Sequence, residues 1–199
     1  MFTKAFKHLK KDPVMNFLIK KYHDKISLDD YKSTNYALSL SNLIIDQQIS
    51  FKAAITIKKR FALLIENLSF QEILDLDDDK IQSIGVSFRK VAYIKNVFSF
   101  FIKNEKEFLH LSEEKMQKEL ISIKGIGKWT VEMFLMFELG KPNIFSKGDI
   151  ALINSVKKNY KMDDLKNSEL DSLIKSWSPY NSTASLLLWK SIEEKVFFN

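Results

Sequence analysis

Apolar residues recur every three to four positions along most of the chain, which is the spacing of amphipathic α-helices. The segment Tyr36–Leu64 carries two apolar stripes that are interrupted at Asp46-Gln47-Gln48, so it predicts two helices joined by a polar bend. The segment Phe88–Lys103 predicts a further amphipathic helix. Shorter helices are predicted over residues 70–76 and 80–84.

The second half of the chain shows the same spacing. Ser112, followed by two glutamates, predicts the N-cap of one helix. Residues 130–139 are apolar almost all round, as in a buried helix. Further helices are predicted to start at Asp149 and to cover residues 170–177 and 183–197.

Composition supports a packed helical protein and narrows its chemistry. The 199 residues include only 5 Gly and 3 Pro, and 45% are apolar, so we predict an all-α fold with an extensive core. No Cys is present, which excludes disulfides, thiolate catalysis and Cys-ligated zinc or iron–sulfur clusters. His8, His23 and His110 lack the spacing of metal ligands, so no dedicated transition-metal site is expected.

Charge adds a weak preference for an anionic partner. Lys and Arg number 31 against 25 Asp and Glu, a net charge of +6, and this balance favours polyanions such as nucleic acids. No apolar run approaches the ~18 residues that span a bilayer. Residues 1–11 lack the apolar core of a secretory signal. We therefore expect a soluble intracellular protein with no membrane partner.

Two of the five glycines, Gly125 and Gly127, lie two residues apart between predicted helices. Such a turn permits positive φ angles and the close approach of another backbone. The N-terminus of the next helix offers unpaired N–H groups to a phosphate, and Lys124 and Lys128 add positive charge beside it. A bare Gly-x-Gly is usually just a short loop, so this turn alone decides nothing.

The longer string LISIKGIGKWTVE resembles the hairpin of the helix-hairpin-helix DNA-repair superfamily, with a Lys in place of the commoner Pro before the first Gly. The resemblance implies that the hairpin grips the phosphates of one DNA strand. It also implies that main-chain carbonyls hold a monovalent cation, Na⁺ or K⁺, and that there is no other cofactor. The implied DNA contacts are Lys124, Gly125, Gly127, Lys128 and Thr130, and the implied cation ligands are the carbonyls of Ile121, Ile123 and Ile126.

A single carboxylate, Asp149, follows the hairpin by about twenty residues, at the start of a predicted helix. Most Asp residues in such a position are N-caps and nothing more. The superfamily places its catalytic Asp at this spacing, so the resemblance implies that Asp149 is catalytic. A fixed carboxylate stabilises the positive charge that develops on the sugar as the N-glycosidic bond breaks, and it can orient or deprotonate the attacking water.

Residue 129 bears on a second activity, the cleavage of the DNA strand. Bifunctional members of the superfamily carry a nucleophilic Lys immediately before the Thr of the hairpin. Trp129 occupies that position here, and Lys128 is one position away. The resemblance therefore implies base removal without strand cleavage.

The segment from Trp177 to Trp189 is similar to the C-terminal signature of the 3-methyladenine DNA glycosylase II branch of the superfamily. In that branch the final Trp, here Trp189, lines the pocket for the damaged base, and Asn181 replaces an Arg. The resemblance assigns Trp129 and Met133 to the same substrate site. Core packing is the better interpretation of Trp177.

Asp46–Ser50 resembles a bend whose second Gln, here Gln48, fills the space left by the flipped nucleotide. A Gln pair at a bend could equally cap backbone groups. Residues Gly85–Lys90 resemble a helix turn of the superfamily that supports structure more than chemistry.

The resemblance covers Tyr36–Trp189 and implies a two-lobed helical fold with the active-site cleft between the lobes, in a compact form that lacks the N-terminal sheet domain of larger relatives. We expect an inner lobe over about 36–110, and a hairpin and catalytic lobe over about 111–199 that includes the N-terminal helices. The implied function is a monomeric, monofunctional DNA glycosylase that removes alkylated bases of the 3-methyladenine or 7-methylguanine type from double-stranded DNA.

Two alternatives stay open at this point. One is a non-catalytic protein that binds DNA structure through the same hairpin. The other is a glycosylase for oxidised or deaminated bases. The missing Lys disfavours the strand-cleaving branches, and Asp149 disfavours the non-catalytic binder.

Overall fold

The computed structural model describes residues 2–28 and 35–198, with only the backbone described at positions 51, 105 and 106. Within these ranges the chain forms twelve α-helices and no strand, so the predicted all-α fold is confirmed. The helices are α1 (Thr3–Leu9), α2 (Pro13–Tyr22), α3 (Tyr36–Asp46), α4 (Phe51–Leu64), α5 (Phe70–Asp75), α6 (Asp78–Gln82), α7 (Phe88–Phe108), α8 (Glu113–Ser122), α9 (Lys128–Phe137), α10 (Ile150–Tyr160), α11 (Asn167–Trp177) and α12 (Asn181–Glu194).

Several helix ends differ from the sequence prediction. Helix α9 begins at Lys128, two residues earlier than predicted, which places the two residues after Gly127 in its first turn. Helix α12 ends at Glu194 because Lys195 adopts a left-handed conformation, with φ of 54°. No helix in the described ranges combines the length and the apolar character that crossing a membrane requires.

The chain divides into two compact units, and the division falls within α9. The terminal unit comprises Met1–Lys32 and Leu135–Asn199, and the central unit comprises Ser33–Phe134. The sequence places the boundary near residue 110, but the observed boundary falls after Phe134. The hairpin therefore belongs to the central unit, because Gly125 packs against Tyr93 of α7 and its carbonyl accepts a hydrogen bond from Gln47.

Asp12 joins three helices of the terminal unit. It is the N-cap of α2, where its Oδ1 accepts from the Met15 amide at 3.1 Å. Its Oδ2 accepts from the Tyr160 hydroxyl of α10 at 2.6 Å and from the Trp177 indole of α11 at 3.3 Å. Burial and the neighbouring Asp12 raise the pKa of the Tyr160 hydroxyl. Trp177 is 1% exposed, which confirms its predicted role in the core.

A buried polar network fixes α10 against α12. The Ser155 hydroxyl of α10 lies 2.7 Å from the Leu188 carbonyl of α12. The Asn159 amide donates to the Ser191 hydroxyl at 2.9 Å. These contacts hold the helix that follows Asp149 against the helix that carries Trp189, because satisfied buried hydrogen bonds resist sliding between packed helices.

The central unit is built around α7, the longest described helix at 21 residues. Helices α3, α5 and α6 pack against it. Its apolar side carries Phe98, Phe101 and Phe108, and edge-to-face ring contacts extend this cluster to Phe70 and Phe134. These rings form an aromatic cluster in the central unit.

Replacement of Asp12 tests the junction of the terminal unit. Asp12→Ala removes a helix cap and leaves the Tyr160 hydroxyl and the Trp177 indole without their acceptor, so we expect a loss of about 2–4 kcal/mol of stability. Urea unfolding followed by far-UV circular dichroism measures this change. Asp24→Ala, which alters an exposed carboxylate just beyond α2, is the matched control and is expected to change stability by less than about 0.5 kcal/mol. Equal stability of the two variants would contradict the assignment.

Candidate functional site

Asp149 lies in the terminal unit as the N-cap of α10, and it is half-buried. Its Oδ1 accepts from the Leu152 amide at 2.9 Å, which is the standard N-cap contact. The same oxygen accepts from the indole Nε1 of Trp189 at 3.3 Å. Two predicted site residues that lie forty positions apart in the sequence are therefore in direct contact.

The loop before Asp149 is attached to the start of α12. The Ser182 hydroxyl bridges two points of this loop, donating to the Lys141 carbonyl at 2.5 Å and accepting from the Ile144 amide at 3.0 Å. The Asp149 amide donates to the Ser146 carbonyl at 3.1 Å, and Ser146 is fully buried. The backbone that leads to the carboxylate is thus held at three points before Asp149.

Trp189 is partly buried, and its ring stacks on that of Phe137 with a centroid distance of 5.9 Å and an interplanar angle of 26°. The sequence predicts Trp189 as a surface for the damaged base, and the structure adds the hydrogen bond to Asp149. Phe137 was missed by the sequence reasoning. Phe137 lies in the last turn of α9, within an apolar run whose sequence does not indicate which way each side chain points.

Asn181, which replaces the Arg of the resembled signature, is 3% exposed. Its amide donates to the Asn143 side chain at 2.6 Å, and the Asn143 amide donates to the Ser178 hydroxyl at 3.2 Å. This position therefore contributes to the packing of the terminal unit, and its burial prevents an exposed phosphate contact.

In the central unit the two hairpin glycines have different reasons to be glycine. Gly125 has φ of +109°, and a Cβ there would lie 2.3 Å from the Tyr93 ring, so the fold itself excludes a side chain. Gly127 has no atom within 4 Å of where its Cβ would be, and its φ lies outside the left-handed region. The fold therefore leaves room for a side chain at position 127.

Gln47, at the end of α3, connects the α3–α4 bend to the hairpin. Its amide Nε2 donates to the Gly125 carbonyl at 3.2 Å and to the Thr130 hydroxyl at 3.0 Å. Thr130 is 1% exposed, so its side chain is turned away from solvent, and a DNA contact through its backbone stays a prediction. Its hydroxyl accepts the hydrogen bond from Gln47 of the bend, and this contact holds the hairpin in place.

Lys90, on α7, holds the bend from the other side. Its ammonium group donates to the Ile45 carbonyl at 2.8 Å and to the Gln47 carbonyl at 2.6 Å, which satisfies free carbonyls at the end of α3. Burial lowers the pKa of Lys90, and the nearby Asp46 opposes that shift. Asp46 pairs with Lys58 at 2.8 Å, and burial raises the pKa of Asp46 against the effect of this partner.

Gln48 is exposed on this supported bend and has a positive φ of 56°. A non-glycine residue in the left-handed region carries a cost of about 1 kcal/mol or more, and it persists when its surroundings fix the backbone. Here the Lys90 ammonium holds the preceding carbonyl. A cavity of about 250 Å³ lies beside Gln48, lined also by Gln47, Arg89, Lys90 and Tyr93.

The remaining predicted residues divide into exposed and buried groups. Lys124 and Lys128 are exposed on either side of the hairpin, with the Lys128 ammonium 3.9 Å from Glu132. Trp129 is partly buried. Met133 is 2% exposed, so a base could reach it only after neighbouring side chains move, and the structure does not support the predicted direct contact.

The predicted cation ligands lie in the turn between α8 and α9. Ile121 is 52% exposed, whereas Ile123 and Ile126 are each 6% exposed. The Ile126 amide donates to the Ile123 carbonyl at 3.0 Å, so the turn that follows Ile123 is tight. Across the described ranges, no group of three or more acidic or His side chains could hold a metal ion.

The sequence is similar to those of known proteins. Residues 42–180 match the profile described as HhH-GPD superfamily base excision DNA repair protein. The chain is 35% identical over 162 residues to YfjP of Bacillus subtilis, covering 75% of this chain and 56% of that protein. It is 32% identical over 166 residues to DNA-3-methyladenine glycosylase 1 of Schizosaccharomyces pombe, covering 76% of this chain and 70% of that protein.

The fold is also similar to a solved structure. The 3-methyladenine DNA glycosylase Mag1 of Schizosaccharomyces pombe, in complex with abasic DNA, has a TM-score of 0.89 and 26% sequence identity. The match covers 99% of this chain and 100% of that chain. The chain thus spans the full length of this structure but little more than half of YfjP.

The role of Gln47 can be tested against its neighbour. Gln47→Ala leaves the Gly125 carbonyl and the buried Thr130 hydroxyl without their donor, and we expect it to lower stability by about 1–3 kcal/mol. Gln48→Ala, the same substitution at the adjacent exposed position, is expected to change stability by less than about 0.5 kcal/mol. Thermal and urea unfolding of both variants measures the difference. If Gln47→Ala were as stable as Gln48→Ala, Gln47 would not be holding the hairpin.

Proposed function

Because this chain belongs to the HhH-GPD superfamily of base excision DNA repair proteins, we propose that it is a DNA glycosylase that removes alkylated bases from double-stranded DNA. The names of the relatives from Schizosaccharomyces pombe give 3-methyladenine as the base. For this chain we propose bases of that type or of the 7-methylguanine type. The observation that carries the proposal is the Asp149 carboxylate, which two N–H donors fix at the N-terminus of a helix.

Asp149 acts on the sugar. As the N-glycosidic bond breaks, positive charge develops on the deoxyribose ring, and a carboxylate that is already oriented stabilises it without a cost of reorganisation. The same group orients the water that attacks the anomeric carbon and accepts its proton. A base alkylated on a ring nitrogen carries a positive charge and leaves as a neutral molecule, so its departure needs no protonation by an acid.

The damaged base must leave the helix before this chemistry can occur. Trp189 offers an aromatic face on which a cationic base stacks favourably. Gln48, exposed on a bend that Lys90 and Gln47 hold rigid, takes the space that the nucleotide vacates. The hydrogen bonds that hold this bend matter, because a side chain that fills the space between base pairs needs a backbone that does not shift.

The hairpin positions the DNA. The first amides of α9, together with Lys124 and Lys128, suit the phosphates of one strand, and the open space around Gly127 lets a phosphate approach the backbone. The carbonyls of Ile121, Ile123 and Ile126 would hold a Na⁺ or K⁺ ion, which fits the tight turn. Such an ion would add positive charge at the phosphate.

Trp129 supports base release without strand cleavage. Its side chain has no amine that could form a Schiff base with the sugar, and it occupies the position of the nucleophilic Lys of bifunctional members. We further propose that the protein acts as a monomer inside the cell, where its DNA substrate is.

Asp149→Asn is expected to lower base release by at least about 100-fold. Because Asn caps helices as well as Asp does, the fold and DNA affinity should stay close to those of the wild type. The measurement uses methylated duplex DNA and follows released bases together with alkali-labile sites. Strand breaks before alkali treatment, or a borohydride-trapped covalent complex, would contradict the proposed absence of lyase activity. Wild-type protein that binds the duplex but releases no base would indicate a non-catalytic DNA binder.

The hairpin glycines provide a matched pair for DNA binding. Gly127→Ala is expected to leave stability unchanged while lowering affinity about tenfold for damaged and undamaged duplexes alike, because phosphate contacts carry no sequence information. Gly125→Ala is expected to lower stability as well, because its Cβ would overlap the Tyr93 ring. Fluorescence anisotropy at several salt concentrations, alongside thermal unfolding, separates the two effects. A loss of affinity for damaged DNA only would show that the hairpin contacts the lesion.

A further inference from the structure

We propose that Trp189 is a positioning residue for Asp149, through its indole N–H, in addition to any role as a stacking surface for the base. The inference rests on the proposed function, in which the Asp149 carboxylate acts at the sugar. It assigns the two parts of one side chain to two different tasks. The ring face binds the base, and the ring N–H sets the direction of the carboxylate.

The geometry of the contact supports this role. An N-cap carboxylate that is held by a helix amide, here that of Leu152, can still swing about that contact. The Trp189 Nε1 donates to the same oxygen, Oδ1, from α12, an element separate from the α10 helix that supplies the amide. Two donors in different directions at one oxygen restrict this swing and thereby fix where the carboxylate lies.

The donor is itself held in place. The Trp189 ring stacks on Phe137, which limits rotation of the indole. The residue before it, Leu188, accepts a hydrogen bond at 2.7 Å from the buried Ser155 of α10. This contact therefore ties the helix that supplies the indole to the helix that Asp149 caps. Side chains supported in this way hold catalytic groups within the narrow tolerance that catalysis requires.

A second tryptophan provides an internal comparison. The Trp177 indole donates to the Asp12 carboxylate at 3.3 Å, the same distance as from Trp189 to Asp149. Trp177 is 1% exposed and belongs to the core of the terminal unit, whereas Trp189 is partly exposed. The chain thus contains the same indole-to-carboxylate contact twice, once in the core and once at the proposed catalytic group.

The test is to remove the N–H and keep an aromatic ring. Trp189→Phe retains stacking but has no donor, and Trp189→Ala lacks both. Because a misplacement of about 1 Å can cost up to about 100-fold in rate, we expect Trp189→Phe to lower the single-turnover rate of base release by about 10- to 100-fold at saturating enzyme. Its affinity for methylated duplex should stay within about twofold of the wild type.

A binding measurement without turnover provides the second readout. The probes are two duplexes, one with a pyrrolidine ring in place of a sugar, which carries a positive charge, and one with a neutral tetrahydrofuran ring. The wild type should prefer the cationic ring because the carboxylate faces it, and Trp189→Phe should lose most of this preference. Trp177→Phe, the matched control, should lower thermal stability but leave both the rate of the folded protein and the preference unchanged.

The outcomes distinguish a failure of the inference about Trp189 from a failure of the proposed function. If Trp189→Phe matches the wild type in rate and in preference while Trp189→Ala does not, Trp189 is a stacking surface only and the inference is wrong. If Trp189→Phe weakens binding to both probes equally, its effect is structural and the inference is also wrong. If Asp149→Asn remains active, the proposed function fails, whatever the tryptophan variants show.

Discussion

A helix leaves the amides of its first turn and the carbonyls of its last turn without partners inside the helix, and three parts of the proposed site, the bend at Gln48, Asp149 and the hairpin, lie at such ends. At the end of α3 the Lys90 ammonium satisfies two carbonyls, and Gln48 follows immediately. At the start of α10 the Asp149 carboxylate satisfies an amide. At the start of α9 no atom lies within 4 Å of where a Cβ on Gly127 would be. Side chains of the protein close the first two ends, and in the proposed function a DNA phosphate binds at the third.

The two units contribute different parts of the proposed activity. The central unit carries the hairpin and the Gln48 bend, joined to each other through the amide of Gln47. The terminal unit carries the carboxylate and its tryptophan, which a buried network between α10 and α12 supports. In each unit, hydrogen bonds inside the protein hold in place a group that the proposed function uses.

The sequence predicted the helices from α3 onward, the polar bend and the N-cap position of Asp149, because each depends on local patterns such as apolar spacing, a glycine pair or a capping residue. It did not predict that Thr130 faces inward, since residues 130–139 are apolar almost all round and indicate no buried side. The sequence also did not predict the hydrogen bond from Gln47 to Gly125, because these residues are 78 positions apart. Met133 was assigned to the pocket by resemblance alone, and its burial depends on packing that a single sequence does not reveal.

The terminal unit is assembled from the first and the last parts of the chain, and this has a consequence for synthesis on the ribosome. The central unit is continuous in sequence, so it can fold as soon as it emerges. Helix α2, whose apolar side packs on α12, must wait until the C-terminal helices have been made. At roughly 5–20 residues per second, this delay lasts on the order of ten seconds or more. During that time an apolar segment is exposed on the nascent chain, where chaperones that recognise such segments can bind.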